Sequence, residues 1–229
     1  MAGQTTTATT LFLLMSMILM IILLLDFSYV CHADPDPVDD ICIADLSTGQ
    51  RFANGYPCKP ASQVTADDLV SDVLAKEGNT SNVFGSFTTH GTVVKFPGLN
   101  TMGMSMNRVD FAPGGINAPH THPRASELVI VVRGTLFIGI ITADNKYFSK
   151  VVKKGEMFIV PRGLMHFQCN IGKGKAQTYA AFNSQLPGGI SVPKSLFRST
   201  PSIPDGLLSK VFQLDEATVR ASKAKLVNI

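Results

Sequence analysis

The chain has 229 residues, 45% hydrophobic and only 16% charged, which excludes a highly charged disordered protein and suits one domain of ordinary size or two small ones. Its 20 Lys and Arg against 17 Asp and Glu leave a net charge of +3 without a long basic run, which argues against a nucleic-acid binder. The 19 Gly and 13 Pro punctuate it as short strands and turns require, and there is no Trp to anchor a Trp-based sandwich or propeller.

Residues 11–25 read LFLLMSMILMIILLL, an apolar run of 15 broken only by Ser16. A bilayer-spanning helix needs about 20 residues. The run instead fits the core of a secretory signal, and Cys31 and Ala33 place small residues at the −3 and −1 positions of a cleavage site. An uncleaved anchor is the alternative, since the first ten residues carry no Lys or Arg. The predicted organisation is a signal peptide over 1–33 and one domain over 34–229. The product would be secreted, with no stable membrane insertion after cleavage.

Cys42 and Cys58 then flank a loop containing Gly, Asn and Pro. In an oxidising compartment this reads as a disulfide, worth about 3 kcal/mol through loop closure. Residues 67–77 (DDLVSDVLAKE) space Leu69, Val70, Val73 and Leu74 as a short amphipathic helix would. Asn79, Thr80 and Ser81 form a glycosylation acceptor. From about residue 93 the period becomes that of strands. Runs over 102–111, 127–133, 135–142, 146–153, 157–160, 166–171 and 177–183 are separated mostly by Gly, Pro, Asn or Asp. Many short strands at this spacing predict an all-β barrel or sandwich, here over about 93–195. Cys169 falls within one such run and is expected to be a buried, inert thiol. The tail returns to helical spacing over about 203–226. Leu207, Leu208, Val211 and Phe212 form an apolar stripe, and Asp215 stands where it can cap a last helix. A small barrel must bury such a stripe somewhere, and another subunit is one place.

Beyond the leader there are four histidines. His90 stands alone among Thr and Gly and reads as a hydrogen-bonded structural residue. His120 and His122 alternate by two, so on an extended strand they share a face. Glu127 opens the next apolar run, and His166 follows the turn at Pro161, Arg162 and Gly163. If the strands close, these four side chains converge. Three imidazoles and a carboxylate suit a divalent ion such as Mn²⁺ or Fe²⁺ with open positions, unlike the closed, usually Cys-rich sites of structural zinc.

The spacing carries a resemblance. Gly114, five residues, His120-Thr121-His122, four residues, Glu127, six residues and Gly134 match the first cupin motif. Gly155, five residues, Pro161-Arg162-Gly163, two residues, His166, three residues and Asn170 match the second, with 20 residues between the motifs. The chain also resembles plant germins and germin-like proteins. The likeness includes the DPDPVDDICIADL start, the Cys42/Cys58 pair, the NTS acceptor, MSMNRVDFAPGGINAPHTHPRASE, KGEMFIVPRGLMHFQ and the helical tail. It implies a secreted β-jelly-roll protein of the apoplast or cell wall. It also implies Mn²⁺ held by His120, His122, Glu127 and His166, and a homo-hexamer, a trimer of dimers clasped by C-terminal helices. Asn107 and Asn117 match germin amides implicated in holding oxalate, although each also suits a purely structural role. The wording around Ile116 and Ala118 and in VIVVRGTLFIGI departs from true germins. The implied function is a manganese oxidoreductase yielding hydrogen peroxide from superoxide, with a role in plant defence. Oxalate oxidation is the alternative, and a non-catalytic wall or receptor protein is the alternative of another class.

Overall fold

The structure, a computed structural model, describes residues 14–17, Met20 and 39–226. The chain divides into two compact units, Met1–Pro35 and Asp36–Ile229. In the first, residues 14–17 and Met20 are helical; the expected cleavage site lies outside the described residues. Among the described residues no helix is long and apolar enough to cross a membrane.

The second unit is a jelly roll of two five-stranded antiparallel sheets. Its strands are β1 (Ser86–Gly91), β2 (Ser105–Phe111), β3 (Ile116–Thr121), β4 (Glu127–Arg133), β5 (Thr135–Ile141), β6 (Tyr147–Lys153), β7 (Met157–Val160), β8 (Met165–Asn170), β9 (Ala176–Phe182) and β10 (Ile190–Ser191). One sheet runs β1-β2-β9-β4-β7 and the other β10-β3-β8-β5-β6. Alternation sets the faces. On β4, Glu127, Val129 and Val131 are buried while Leu128 and Ile130 face out. The inward residues of both sheets, among them Val109, Phe111, Val129, Leu136, Ile138, Val152 and Phe182, make one core. Gly134 turns β4 into β5 at φ +82°, where a Cβ would come within 2.6 Å of Ala176. A side chain is therefore excluded both by conformation and by space.

Strand structure begins at Ser86, earlier than residue 93, because the Ser-Phe-Thr-Thr run of β1 pairs with β2 along its whole length. The helix expected over 67–77 is replaced by a 3₁₀ turn, Ala66–Leu69, followed by irregular chain. Tertiary contacts outcompete the local period there. The buried Arg108 guanidinium pairs with Asp110 and also donates to the carbonyls of Leu74 (3.1 Å) and Ala75 (3.0 Å), while Asp110 accepts from the Gly78 N–H.

Cys42 and Cys58 are joined in a disulfide. Asn100, fully buried, pins the same loop by donating to Tyr56 O and accepting from Tyr56 N. Cys169 is half-buried rather than buried, because β8 turns His166, Gln168 and Asn170 inward and leaves Cys169 on the other face.

The tail forms α1 (Val192–Phe197), α2 (Asp205–Phe212) and α3 (Glu216–Leu226). Asp215 accepts from the Thr218 N–H and hydroxyl, capping α3 as expected. Lys223 of α3 reaches Asp205 at 2.6 Å and ties the last two helices together.

Candidate metal centre

The sandwich brings His120, His122, Glu127 and His166 together between its sheets, with their potential ligand atoms all within 4.8 Å of one another. β3 and β8 are neighbours in one sheet, and His120 sits opposite His166 in register. Glu127 opens β4 in the other sheet, opposite Phe182 of β9. A register shift between Asn117 and His120 sits at Ala118 and Pro119, an irregularity of the kind that re-aims side chains beside functional sites. Glu127 is 3% exposed and His166 is 0% exposed.

The outer nitrogens of the three rings are all engaged. His120 Nδ1 lies 2.8 Å from Ala118 O, His122 Nδ1 2.6 Å from Gly188 O and His166 Nδ1 3.0 Å from Leu164 O. A carbonyl only accepts, so each Nδ1 carries its hydrogen. In the neutral rings this leaves the Nε2 lone pairs free for a ligand, the tautomer a metal site needs. Gly188 is itself braced. At φ +71° it lies against Arg124, whose guanidinium a Cβ there would approach to 2.8 Å, and Arg124 Nε donates to Leu186 O.

The inner atoms are close but poorly matched as hydrogen-bond partners. Glu127 Oε2 lies 2.8 Å from His166 Nε2 and 3.3 Å from His122 Nε2. Even so, Glu127 Oε2 and His166 Nε2 are buried without a hydrogen bond of adequate geometry. Buried polar atoms left this way are costly, and a cation held among them would satisfy both. The donor set therefore fits a divalent metal ion.

Electrostatics agree with that fit. Burial pushes the His120 imidazole down to about 3, helped by His166. Burial alone would raise the Glu127 carboxyl, but the His122 and His166 rings outweigh it and hold the group down at about 2. For His122, burial works downward and is outweighed by Glu127, so its pKa lies above the ordinary value. Metal uptake needs a neutral His122. Below its raised pKa the ring carries a proton that uptake must expel, so affinity will fall with acidification, by about tenfold per pH unit where one proton is displaced. Calorimetry in buffers of different ionisation enthalpy, repeated at falling pH, will record that proton; heats that stay buffer-independent throughout the acidification would contradict it.

Above the four side chains lies a cavity of about 470 Å³ whose lining includes Asn107, Asn117, Val109, Ile116 and Phe182. Asn107 is buried with Oδ1 unpartnered, and Asn117 Nδ2 donates to Gln168 Oε1 at 2.9 Å. Both amides thus share the cavity with His120 and His122. His90 does so too, so it does not stand alone as its sequence surroundings suggest. It stands on β1 opposite Asn107 and lines the same cavity. The β-branched run at Thr88 and Thr89 was the available signal. The carbonyls of Ala118, Leu164 and Gly188 had none, because a backbone acceptor leaves no mark in composition.

Comparison with known proteins agrees with this geometry. The cupin family model matches residues 73–220. Germin-like protein subfamily 2 member 1 of Arabidopsis thaliana is 51% identical over 193 residues, 84% of this chain and 88% of that protein. The rhicadhesin receptor of Pisum sativum is 50% identical over 190 residues, 83% of this chain and 87% of that protein. Among solved structures, oxalate oxidase in complex with the substrate analogue glycolate superposes with a TM-score of 0.82 at 48% identity, covering 85% of this chain and 98% of that one.

Proposed function

The chain belongs to the cupin family, among the germin-like proteins, and on that premise we propose that it is a secreted manganese-dependent oxidoreductase acting on a small anion, superoxide first. The observation that carries this reading is the convergence of three Nδ1-anchored histidines and Glu127. Bound among them, manganese would supply one-electron redox chemistry. Dismutation converts two superoxide anions and two protons into O₂ and H₂O₂, and the positive net charge mildly favours anion approach. The protein's part is to orient the rings through backbone carbonyls, to keep His120 neutral and Glu127 ionised, and to shield the cluster between the sheets. Paired superoxide and oxalate assays on one manganese-loaded preparation test the reading.

Oxalate oxidation is the second reading. Asn107 and Asn117 in the cavity favour it, since both amides can hydrogen-bond a dicarboxylate. Oxalate, O₂ and two protons would then give two CO₂ and H₂O₂. The relative named as a receptor keeps a non-catalytic binding role as the reading of another class.

Residues 1–33 are read as the signal peptide and 34–229 as a single germin-type domain delivered to the apoplast or cell wall, where peroxide would serve defence. Asn79 is exposed, and its side chain accepts from the Ser81 N–H, so the acceptor is open to a glycan.

Assembly as a homo-hexamer belongs to the same proposal. Leu208 is buried and Phe212 stacks on Phe197 at 5.7 Å, but Leu207 and Val211 point outward. A separate cavity of about 740 Å³, lined largely by apolar residues such as Phe96, Leu99, Met104, Met106, Leu128 and Ile159, offers a counterpart on the sheet. A second copy of the chain is the occupant these apolar surfaces suit. Truncation after Pro204 will abolish the high oligomer in sedimentation, whereas an unchanged oligomer would rule out the helical clasp.

A further inference from the structure

The cavity above the metal-ligand cluster is unequal in charge. Among the described residues its only carboxylate is Glu127, which is turned into the cluster, and its only permanent cation is Lys194 on α1. Lys194 is exposed and makes no ion pair among the described residues. His90 lines the cavity from β1. Desolvation lowers the pKa of its ring, Asn107 opposes that and His122 adds to it. Asn107 contributes the unpartnered buried Oδ1. An anion entering this space meets one fixed positive charge, neutral polar groups and no competing carboxylate outside the cluster.

We propose that Lys194 is an entrance residue that draws small anions into the metal cavity and sets its preference for them over neutral ligands of the same shape. The inference rests on the reading that the cluster holds a metal ion and admits a small anion. Lys194 acts through its field and is separate from the metal-ligating groups. A charge lining a cleft with apolar walls raises the local concentration of oppositely charged ligands, and dissolved salt screens the effect.

The test uses the full mature protein loaded with Mn²⁺, in the wild type and in Lys194→Gln, Lys194→Glu and Lys194→Arg. Glycolate and the neutral glycolamide are titrated while the Mn²⁺ electron paramagnetic resonance signal is followed. At about 0.01 M ionic strength, set with a weakly coordinating salt, glycolate affinity is expected to fall about threefold in Lys194→Gln and about tenfold in Lys194→Glu. Lys194→Arg should retain it, and glycolamide should be unaffected. Near 1 M salt the differences should vanish. Manganese content and thermal midpoint should stay at wild-type values, because Lys194 is exposed and ligates nothing. If the wild type binds glycolate and the charge variants bind it equally at low salt, the entrance role is overturned while the metal reading stands. If manganese-loaded wild type binds no glycolate, the small-anion reading fails and the entrance role with it.

Discussion

His166→Ala will leave a folded jelly roll that no longer retains a metal ion, and Glu127→Gln will do the same with almost no change of volume. His166 is fully buried, its Nδ1 is held by Leu164 O, and its Nε2 faces Glu127. Losing an outer partner of a ligand costs about 10–100-fold in metal affinity, and losing a ligand itself should cost at least the upper end of that range. Two effects act together in His166→Ala. One donor disappears, and the buried Glu127 carboxylate loses the closer of its two imidazole neighbours. In Glu127→Gln only the charge and one donor oxygen are lost, which separates ligation from packing. The readout is metal content after dialysis, paired with thermal melts. A ligand present at about a thousand times its Kd stabilises the folded state by about 4 kcal/mol. The wild-type midpoint should therefore rise on adding Mn²⁺ and fall on chelation, while the midpoint of each variant should respond to neither. Full metal occupancy in either variant would remove that residue from the ligand set.

The second large effect concerns substrate. On one manganese-loaded preparation, superoxide dismutation should be clear and should disappear with the metal, while oxalate-dependent peroxide stays near background. Superoxide needs only access to a redox-capable ion. Oxalate needs, in addition, walls that hold a two-headed anion to within about 0.5 Å. The cavity, at about 470 Å³, is far roomier than that small dianion requires, and Asn117 already gives one N–H to Gln168. Asn107→Ala and Asn117→Ala should hardly change dismutation. If oxalate turnover is robust instead, the second reading takes precedence, and the same variants should then reduce it by about 10²-fold, as loss of a positioned donor does. Absence of both activities would favour the non-catalytic reading.

The difference between what could and could not be read from sequence has a physical pattern. His120 and His122 were legible because strand alternation puts residues two apart on one face, and Glu127 and His166 because each follows a turn at a fixed spacing. β4 and β7 begin and end where apolar runs meet turn residues, so their limits were readable. Residues 67–77 misled because the apolar spacing was helical, whereas Arg108, distant in sequence, takes the carbonyls of Leu74 and Ala75. The nearness of His90 to the cluster was not legible because it comes from pairing with β2 across an irregular connection. The carbonyls that orient the three imidazoles, and the bracing of Gly188 by Arg124, exist only once the chain has closed.

The most direct measurement is elemental analysis of the purified wild-type protein, with electron paramagnetic resonance to identify the ion. A single manganese ion per chain, released on acidification and lost in Glu127→Gln, is the predicted result. A chain that purifies without metal and takes up none when Mn²⁺ is supplied would contradict the account, as would an ion retained unchanged when Glu127 is replaced.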